Sequence, residues 1–229
     1  MTSQEKSLRK DIVSRCRDMN ALGINQGTSG NISVRYGNRM LITPSGVPYD
    51  RMEPEMIASI ELNDLSGAWM GPMKPSTEWR FHLRLLRERP DAHAVVHAHS
   101  VHCTALAMAR KEIPACHYMI AAFGGSNVRC ADYATFGTEE LADLAVKAMK
   151  GRTACLLANH GMIVLGENLD KAMWRAVELE TIARQYIISL QLGGPIILSD
   201  DEIARTLAAF ASYGPANEAE MPVSRQAPR

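Results

Sequence analysis

The chain has 229 residues, in which 25 Lys plus Arg balance 25 Asp plus Glu, a length that suits one large domain with a substantial core. With no basic excess, the composition excludes the electrostatics of nucleic-acid or anionic-membrane binding and leaves a small-molecule partner. The first ten residues are polar, without an apolar leader core, and no later run approaches the ~18 apolar residues of a bilayer span, so a soluble, cytoplasmic protein is expected.

From Gln4 to Leu22 the apolar positions Leu8, Ile12, Cys16 and Met19 recur at spacings of three and four, which predicts an amphipathic helix ending before Gly23. The stretch "GTSGNISVRYGNRMLITPSG" alternates and breaks at Gly37-Asn38, the pattern of a hairpin with strands Ile32 to Tyr36 and Arg39 to Thr43. A strand follows at Met56 to Leu62, then a Gly/Pro-rich loop from Gly67 to Pro75, then a helix from near Ser76 to Arg89, stopped by Pro90. The β-branched run of "AVVHAHS" predicts a buried strand, followed by a helix from His102 to Ala109. Thr138 to Lys150 is expected as a helix, Ala154 to Leu157 and Gly161 to Leu165 as strands, and Leu169 to Leu190 and Asp200 to Ala211 as closing helices. Strands and helices interleave without strict βαβ repetition, so the expected fold is α/β, a layered sheet covered by helices. The composition of Pro215 to Arg229 is that of a flexible C-terminal tail behind a domain ending at Gly214.

Alternate residues of a strand share a face, so His97 and His99 point the same way and offer two imidazoles to one ion, or serve as two core histidines. A third histidine, His160, stands at the turn of "LLANHGMIVLG" between two apolar strands, and three histidines leave a tetrahedral ion one open position. His82, His93, His102 and His117 read as structural or surface residues. In "KPSTEWRFH", Ser76 and Thr77 introduce the helix that carries Glu78 in its first turn, either as a simple N-cap or as a phosphate cradle with Glu78 aimed at the metal as a base. Two more glycine and hydroxyl clusters, Gly27 to Asn31 and Thr43 to Gly46, are neither a P-loop nor a Rossmann turn and suit one small phosphate monoester. The five cysteines are odd in number, scattered and without a C-x-x-C pair, so they read as reduced, structural thiols.

The segments "GTSGNISVRY", "LITPSG", "STEWRFH", "AVVHAHSVHCTA", "HYMIAA", "YATFGT" and "NHG" occur in an order and spacing that resembles the class II aldolase/adducin family, over nearly the whole chain to Gly214. The resemblance implies a single-domain three-layer α/β/α fold around a mainly antiparallel sheet. It also implies a homotetramer of four-fold symmetry, with one Zn²⁺, or another divalent cation such as Mn²⁺ or Co²⁺, per subunit at each interface. It makes His97, His99 and His160 the metal ligands, and Glu78 the acid/base that can also serve as a fourth ligand. Thr28, Asn31, Ser45, Gly46, Ser76 and Thr77 match the phosphate-binding positions, and Tyr118 the second proton-transfer residue. Thr77 stands where family aldolases tend to have Ser, and Asn159 where another His is expected.

The expected activity is metal-dependent cleavage of a ketose 1-phosphate to dihydroxyacetone phosphate and an aldehyde. Glu78 tilts the choice away from the family's ribulose-phosphate 4-epimerases, in which Asp replaces it. A methylthioribulose-1-phosphate dehydratase and a non-catalytic adducin-like binding protein are the other readings. Phe210 and Tyr213 are expected to reach over a neighbour's metal and form the aldehyde pocket. No Lys or Arg lies between Thr206 and Val223, so that pocket should prefer a short neutral aldehyde. L-fuculose 1-phosphate, 5-deoxyribulose 1-phosphate and 5-methylthioribulose 1-phosphate would release such aldehydes.

Overall fold

The computed structural model describes residues 1–210, so Tyr213 and the tail expected from Pro215 lie outside the described residues. Gly37 adopts φ +57° in the two-residue connection between β1 (Asn31–Tyr36) and β2 (Arg39–Ile42), a conformation that favours glycine and closes the hairpin with Tyr36 opposite Arg39. The remaining strands are β3 (Ala58–Glu61), β4 (Trp69–Met70), β5 (Ala94–Ala98), β6 (Ile113–Pro114), β7 (Asn127–Ala131), β8 (Ala154–Leu157) and β9 (Gly161–Gly166). They form one sheet in the order β4-β3-β2-β1-β5-β9-β8-β7-β6, antiparallel throughout except for the parallel pair β7 and β8.

Strand alternation divides the core between the two faces of this sheet. Ile32, Val34, Val96, Met162 and Val164 pack beneath α1 (Ser3–Ala21), α3 (Val101–Met108) and α5 (Leu169–Gln191). Ile42, Val95, Ile163 and Leu165 pack on the opposite side beneath α2 (Trp79–Glu88) and α4 (Glu139–Ala148). The three layers are therefore α/β/α, as expected. α6 (Asp200–Phe210) lies apart from both and buries Ile203 against Ala115 and Ala121, beside the 3-10 turn Tyr118–Phe123. Among the described residues no helix is long and apolar enough to cross a membrane.

Three details differ from the sequence reading. The strand expected from Met56 begins only at Ala58, because Pro54 opens a 3-10 turn over Pro54–Met56. The helix expected from Ser76 begins at Trp79, because the chain before it is held extended: Pro44 bridges Pro75, the Ser45 amide donates to Lys74 O, and the Ser76 amide to Thr43 O, both at 2.9 Å. Strands β4, β6 and β7 and the turn at Tyr118 had no counterpart in the reading. β4 and β6 have two residues each, too few to show a period.

Candidate active site

His97 is the fourth residue of β5 and lies on the same face as Val95, toward α2, where its ring is fully buried with Phe81 edge-on at 5.3 Å. His99 follows two residues later, and its Nε2 comes to 3.0 Å from Nε2 of His97. His160 ends the turn between β8 and β9, closed by its amide donating to Leu157 O at 3.0 Å with Asn159 at φ +55°, a left-handed conformation that Asn tolerates better than most residues. Glycine is required on both sides of this cluster. A Cβ at Gly161 would stand 2.6 Å from Ala98 O and 2.9 Å from His99 Cδ2, and one at Gly30 would stand 2.7 Å from His97 O.

The Nδ1 atom of His97 lies 2.9 Å from Met162 O, which only accepts, so Nδ1 carries the proton and Nε2 presents its lone pair. Burial lowers the His97 pKa to about 3, which keeps the ring neutral. The Glu78 carboxylate completes the group, with Oε2 3.2 Å from His97 Nε2 and Oε1 3.1 Å from His160 Nε2. Burial raises the Glu78 pKa, but the facing His97 and His160 rings and the hydrogen bond from Asn31 outweigh it and hold the carboxyl well below the usual range.

The residues fit a divalent cation. One ligand atom from each of His97, His99 and His160 lies within 4.8 Å of the others. Oε1 of Glu78 is buried with no hydrogen-bond partner. Imidazole nitrogens and a carboxylate converging on one another call for a cation among them; three nitrogens and an oxygen are the donor set of a catalytic Zn²⁺-type site.

Glu78 does not lie in the first turn of its helix; it is the residue preceding α2 and makes no side-chain capping bond. Its amide donates to Ser76 Oγ at 3.3 Å, a local turn ahead of the helix that does not cap α2. Of the two amides expected for phosphate, that of Ser76 is engaged by Thr43 O, which leaves the amide of Thr77. Backbone pairing brings Ser45 and Gly46 next to Ser76 and Thr77, and Thr43 ties them to β1 through its Oγ1, which accepts from the Ile32 amide at 3.3 Å. Thr28 is exposed, whereas Ser29 lines the histidine cavity. Asn31 is drawn to the carboxylate, its Nδ2 donating to Glu78 Oε2 at 2.8 Å.

A 310 Å³ cavity opens onto His99 and His160, walled by Tyr133, Phe136 and Asn159, with no Lys or Arg in its lining. Tyr133 and Phe136 escaped the sequence reading as site residues, although both fall within the "YATFGT" segment. Tyr118 and Phe210 do not line this cavity. They stand together, ring centroids 6.4 Å apart, on a separate 1140 Å³ cavity that also includes Lys171, Trp174 and Arg175.

Residues 10–187 match the model of the class II aldolase and adducin N-terminal domain. The L-fuculose phosphate aldolase of Escherichia coli (strain K12) is 48% identical over 212 residues, covering 92% of this chain and 97% of that protein. The 5-methylthioribulose-1-phosphate/5-deoxyribulose-1-phosphate aldolase of Rhodospirillum rubrum is also 48% identical, over 222 residues, covering 97% of this chain and 98% of that protein. A solved L-fuculose 1-phosphate aldolase superposes with a TM-score of 0.86 at 36% identity, over 92% of this chain and 98% of its own.

Proposed function

The chain belongs to the class II aldolase and adducin family and is an aldolase, and from that premise we propose that it cleaves a ketose 1-phosphate reversibly to dihydroxyacetone phosphate and a short neutral aldehyde. The observation that carries this is the convergence of three imidazoles and Glu78 on one point beside a cavity without cationic lining.

We assign His97, His99 and His160 as the ligands of Zn²⁺, or of Mn²⁺ or Co²⁺ in its stead, with Glu78 within reach as a fourth. When bound, the ion supplies Lewis acidity to adjacent substrate oxygens as negative charge develops between them. The amides of Gly46 and Thr77 and the hydroxyls of Thr28, Ser45, Ser76 and Thr77 hold the phosphate. This remote grip stays the same through the reaction and orients the reacting carbons. In cleavage, Tyr118 or a water it orders takes the proton of the C4 hydroxyl as the C3–C4 bond breaks. Glu78, a carboxylate at rest, takes up one proton through water, balancing the one released from the C4 hydroxyl, and delivers it to C3, which becomes the hydroxymethyl carbon of dihydroxyacetone phosphate.

Tyr118 and Phe210 reach a histidine cluster only across a subunit boundary in this reading, because within one chain they line a different cavity. This favours a homotetramer with shared sites, in which Tyr213 joins Phe210 over the aldehyde. A phosphorylated sugar substrate, which does not cross membranes, places the work in the cytoplasm. Candidate substrates are L-fuculose 1-phosphate, 5-deoxyribulose 1-phosphate and 5-methylthioribulose 1-phosphate. Metal-loaded protein should release dihydroxyacetone phosphate from at least one of them, read by a coupled reductase. An epimer or a dehydrated diketone as sole product would replace this reading with another activity of the same fold.

A further inference from the structure

Behind Glu78 lies a row of buried polar side chains that the proposed chemistry does not use. Asn31 and Ser33 are two residues apart on β1 and share its α2-facing side, while Glu78, just ahead of α2, and His82, four residues later within it, both turn toward that side. The four meet in the core, where His82 and Ser33 are fully buried and Asn31 and Glu78 are 5% exposed. Ser33 Oγ lies 2.8 Å from His82 Nδ1, His82 Nε2 lies 2.5 Å from Asn31 Oδ1, and Asn31 Nδ2 lies 2.8 Å from Glu78 Oε2.

The direction of every bond in the row is fixed by its last member. A carboxylate only accepts, so Asn31 must turn its amide nitrogen to Glu78 and its oxygen to His82. That oxygen also only accepts, so His82 Nε2 carries the ring proton, and Nδ1 is left to accept from the Ser33 hydroxyl. The same logic holds in reverse. With Nε2–H held toward it, Asn31 cannot flip, because the flipped amide would set N–H against N–H on one side and oxygen against carboxylate on the other. Phe81 stacks on the His82 ring at 4.7 Å and fixes its plane. Burial lowers the His82 pKa to about 3, consistent with a neutral ring in this role.

We propose that His82 is a positioning residue for the aldolase reaction: through Asn31 it holds the Glu78 carboxylate at the angle from which it exchanges a proton with substrate. The inference deepens the reading of Glu78 as the acid/base and rests on it. Asn31 thereby serves Glu78 first, and any contact it makes with phosphate uses its second amide hydrogen. A histidine chosen only to fill the core would need no particular tautomer, and an apolar side chain would fill the same space without desolvating two ring nitrogens.

The test compares His82→Met, which keeps volume and loses the donor, with His82→Gln, whose amide nitrogen reaches about where Nε2 stands. His82→Met should lower kcat by roughly 10- to 100-fold, the usual cost of losing such a supporting hydrogen bond, with KM unchanged, and His82→Gln should restore most of it. Both are measured against thermal unfolding. In an Asn31→Ala background the His82→Met effect should vanish, because the link it acts through is gone. Equal losses in the Met and Gln variants, an additive effect in the Asn31→Ala background, or a rise in KM with kcat intact would each overturn the inference; the last would put Asn31 on the phosphate. Should His82→Met not yield folded protein, Ser33→Ala replaces it, with a several-fold fall in kcat expected that disappears with Asn31→Ala; no fall overturns the inference. Full turnover in Glu78→Gln would instead reject Glu78 as the acid/base, whereas an inactive Glu78→Gln beside a fully active His82→Met rejects only the role of His82.

Discussion

The histidine end of the sheet and the α6 corner are built on opposite plans. At the first, strand pairing, two obligatory glycines and a buried hydrogen-bonded row place His97, His99, His160 and Glu78 together within one chain, leaving little freedom to their side chains. At the second, Ala115, Ala121 and Ile203 form a small cluster, while Tyr118 is 51% exposed and stands on a large open cavity. In the proposed reading the first region holds the ion and the Glu78 proton within one chain, and its rigidity is what such chemistry asks for. The second presents aromatic surface, with Tyr118, that lies away from the histidine cluster of its own chain. In the proposed mechanism, metal binding and the proton exchange at Glu78 should therefore survive the loss of Phe210, whereas aldehyde handling, with the Tyr118 proton step, depends on this corner.

The largest effect expected is at the metal. Protein as purified should carry about one divalent ion per subunit, measured by mass spectrometry of the digested sample. His160→Ala should bring that to a small fraction and abolish turnover, as should exhaustive chelation, with activity returning on adding Zn²⁺, Mn²⁺ or Co²⁺. His160 sits in a turn and is only partly buried, so its removal tests the ligand and not the core. Full activity after chelation would break the comparison at its root.

Glu78→Gln comes next: it keeps the shape of the side chain and removes the proton acceptor, so kcat should fall about 10²- to 10⁴-fold with the melting temperature nearly unchanged. Loss of folding would return Glu78 to a structural role. At Gly161, a Cβ must push against the Ala98 carbonyl and the His99 ring, so Gly161→Ala should cost roughly 1–3 kcal/mol of stability and weaken metal retention together. Gly151→Ala is the control: φ is +66° with open space around a Cβ, so it should cost about 1–2 kcal/mol and leave metal content alone. Equal metal loss in both variants would mean that the contact at Gly161 has no special bearing on the site.

How far the sequence reveals each region follows from how locally each is built. His97 and His99 could be paired on one face from strand period alone, and His160 stood out at a turn between two apolar strands. The hairpin and the long helices were legible because each is specified by its own residues. The start of α2 was not, since it is set by the pairing of residues 43–45 with 74–76, some thirty positions apart. That three-residue slip misplaced Glu78 inside the helix, where the structure puts it just ahead of α2, while the spacing of four between Glu78 and His82 was there to be seen. The placement of Tyr118 next to Phe210 depends on a 3-10 turn and on α6 docking across the chain, for which no short-range pattern exists.

At the α6 corner, Phe210→Ala should lower kcat/KM for the longer aldehydes by roughly 10-fold while metal content stays at the wild-type level. Light scattering is the accompanying measurement. An active monomer would mean that Tyr118 and Phe210 need no neighbouring histidine cluster, and the contrast between a self-sufficient and a shared half-site would fall.

The smallest effects expected are those that distinguish one aldehyde from another. The cavity beside His99 and His160 is walled by Tyr133, Ala134, Phe136 and Asn159, and offers no cation to a second phosphate or a carboxylate. A charged group entering it would lose its hydration without gaining a partner, a penalty larger than any the neutral aldehydes face. Lactaldehyde, acetaldehyde and methylthioacetaldehyde differ only in small, mostly apolar substituents, and apolar surface discriminates by only ~1–3 kcal/mol per methylene-sized difference. Values of kcat/KM for the three corresponding ketose 1-phosphates should therefore lie within about 10- to 200-fold of one another, with a ketose bisphosphate below all of them. Because the proposed role of Phe210 is to cover the same aldehyde from a neighbouring subunit, Phe210→Ala should compress the spread among the three without raising the bisphosphate. A wild-type preference for the bisphosphate would show that a cation reaches the cavity from elsewhere, and the neutral-pocket argument would be wrong.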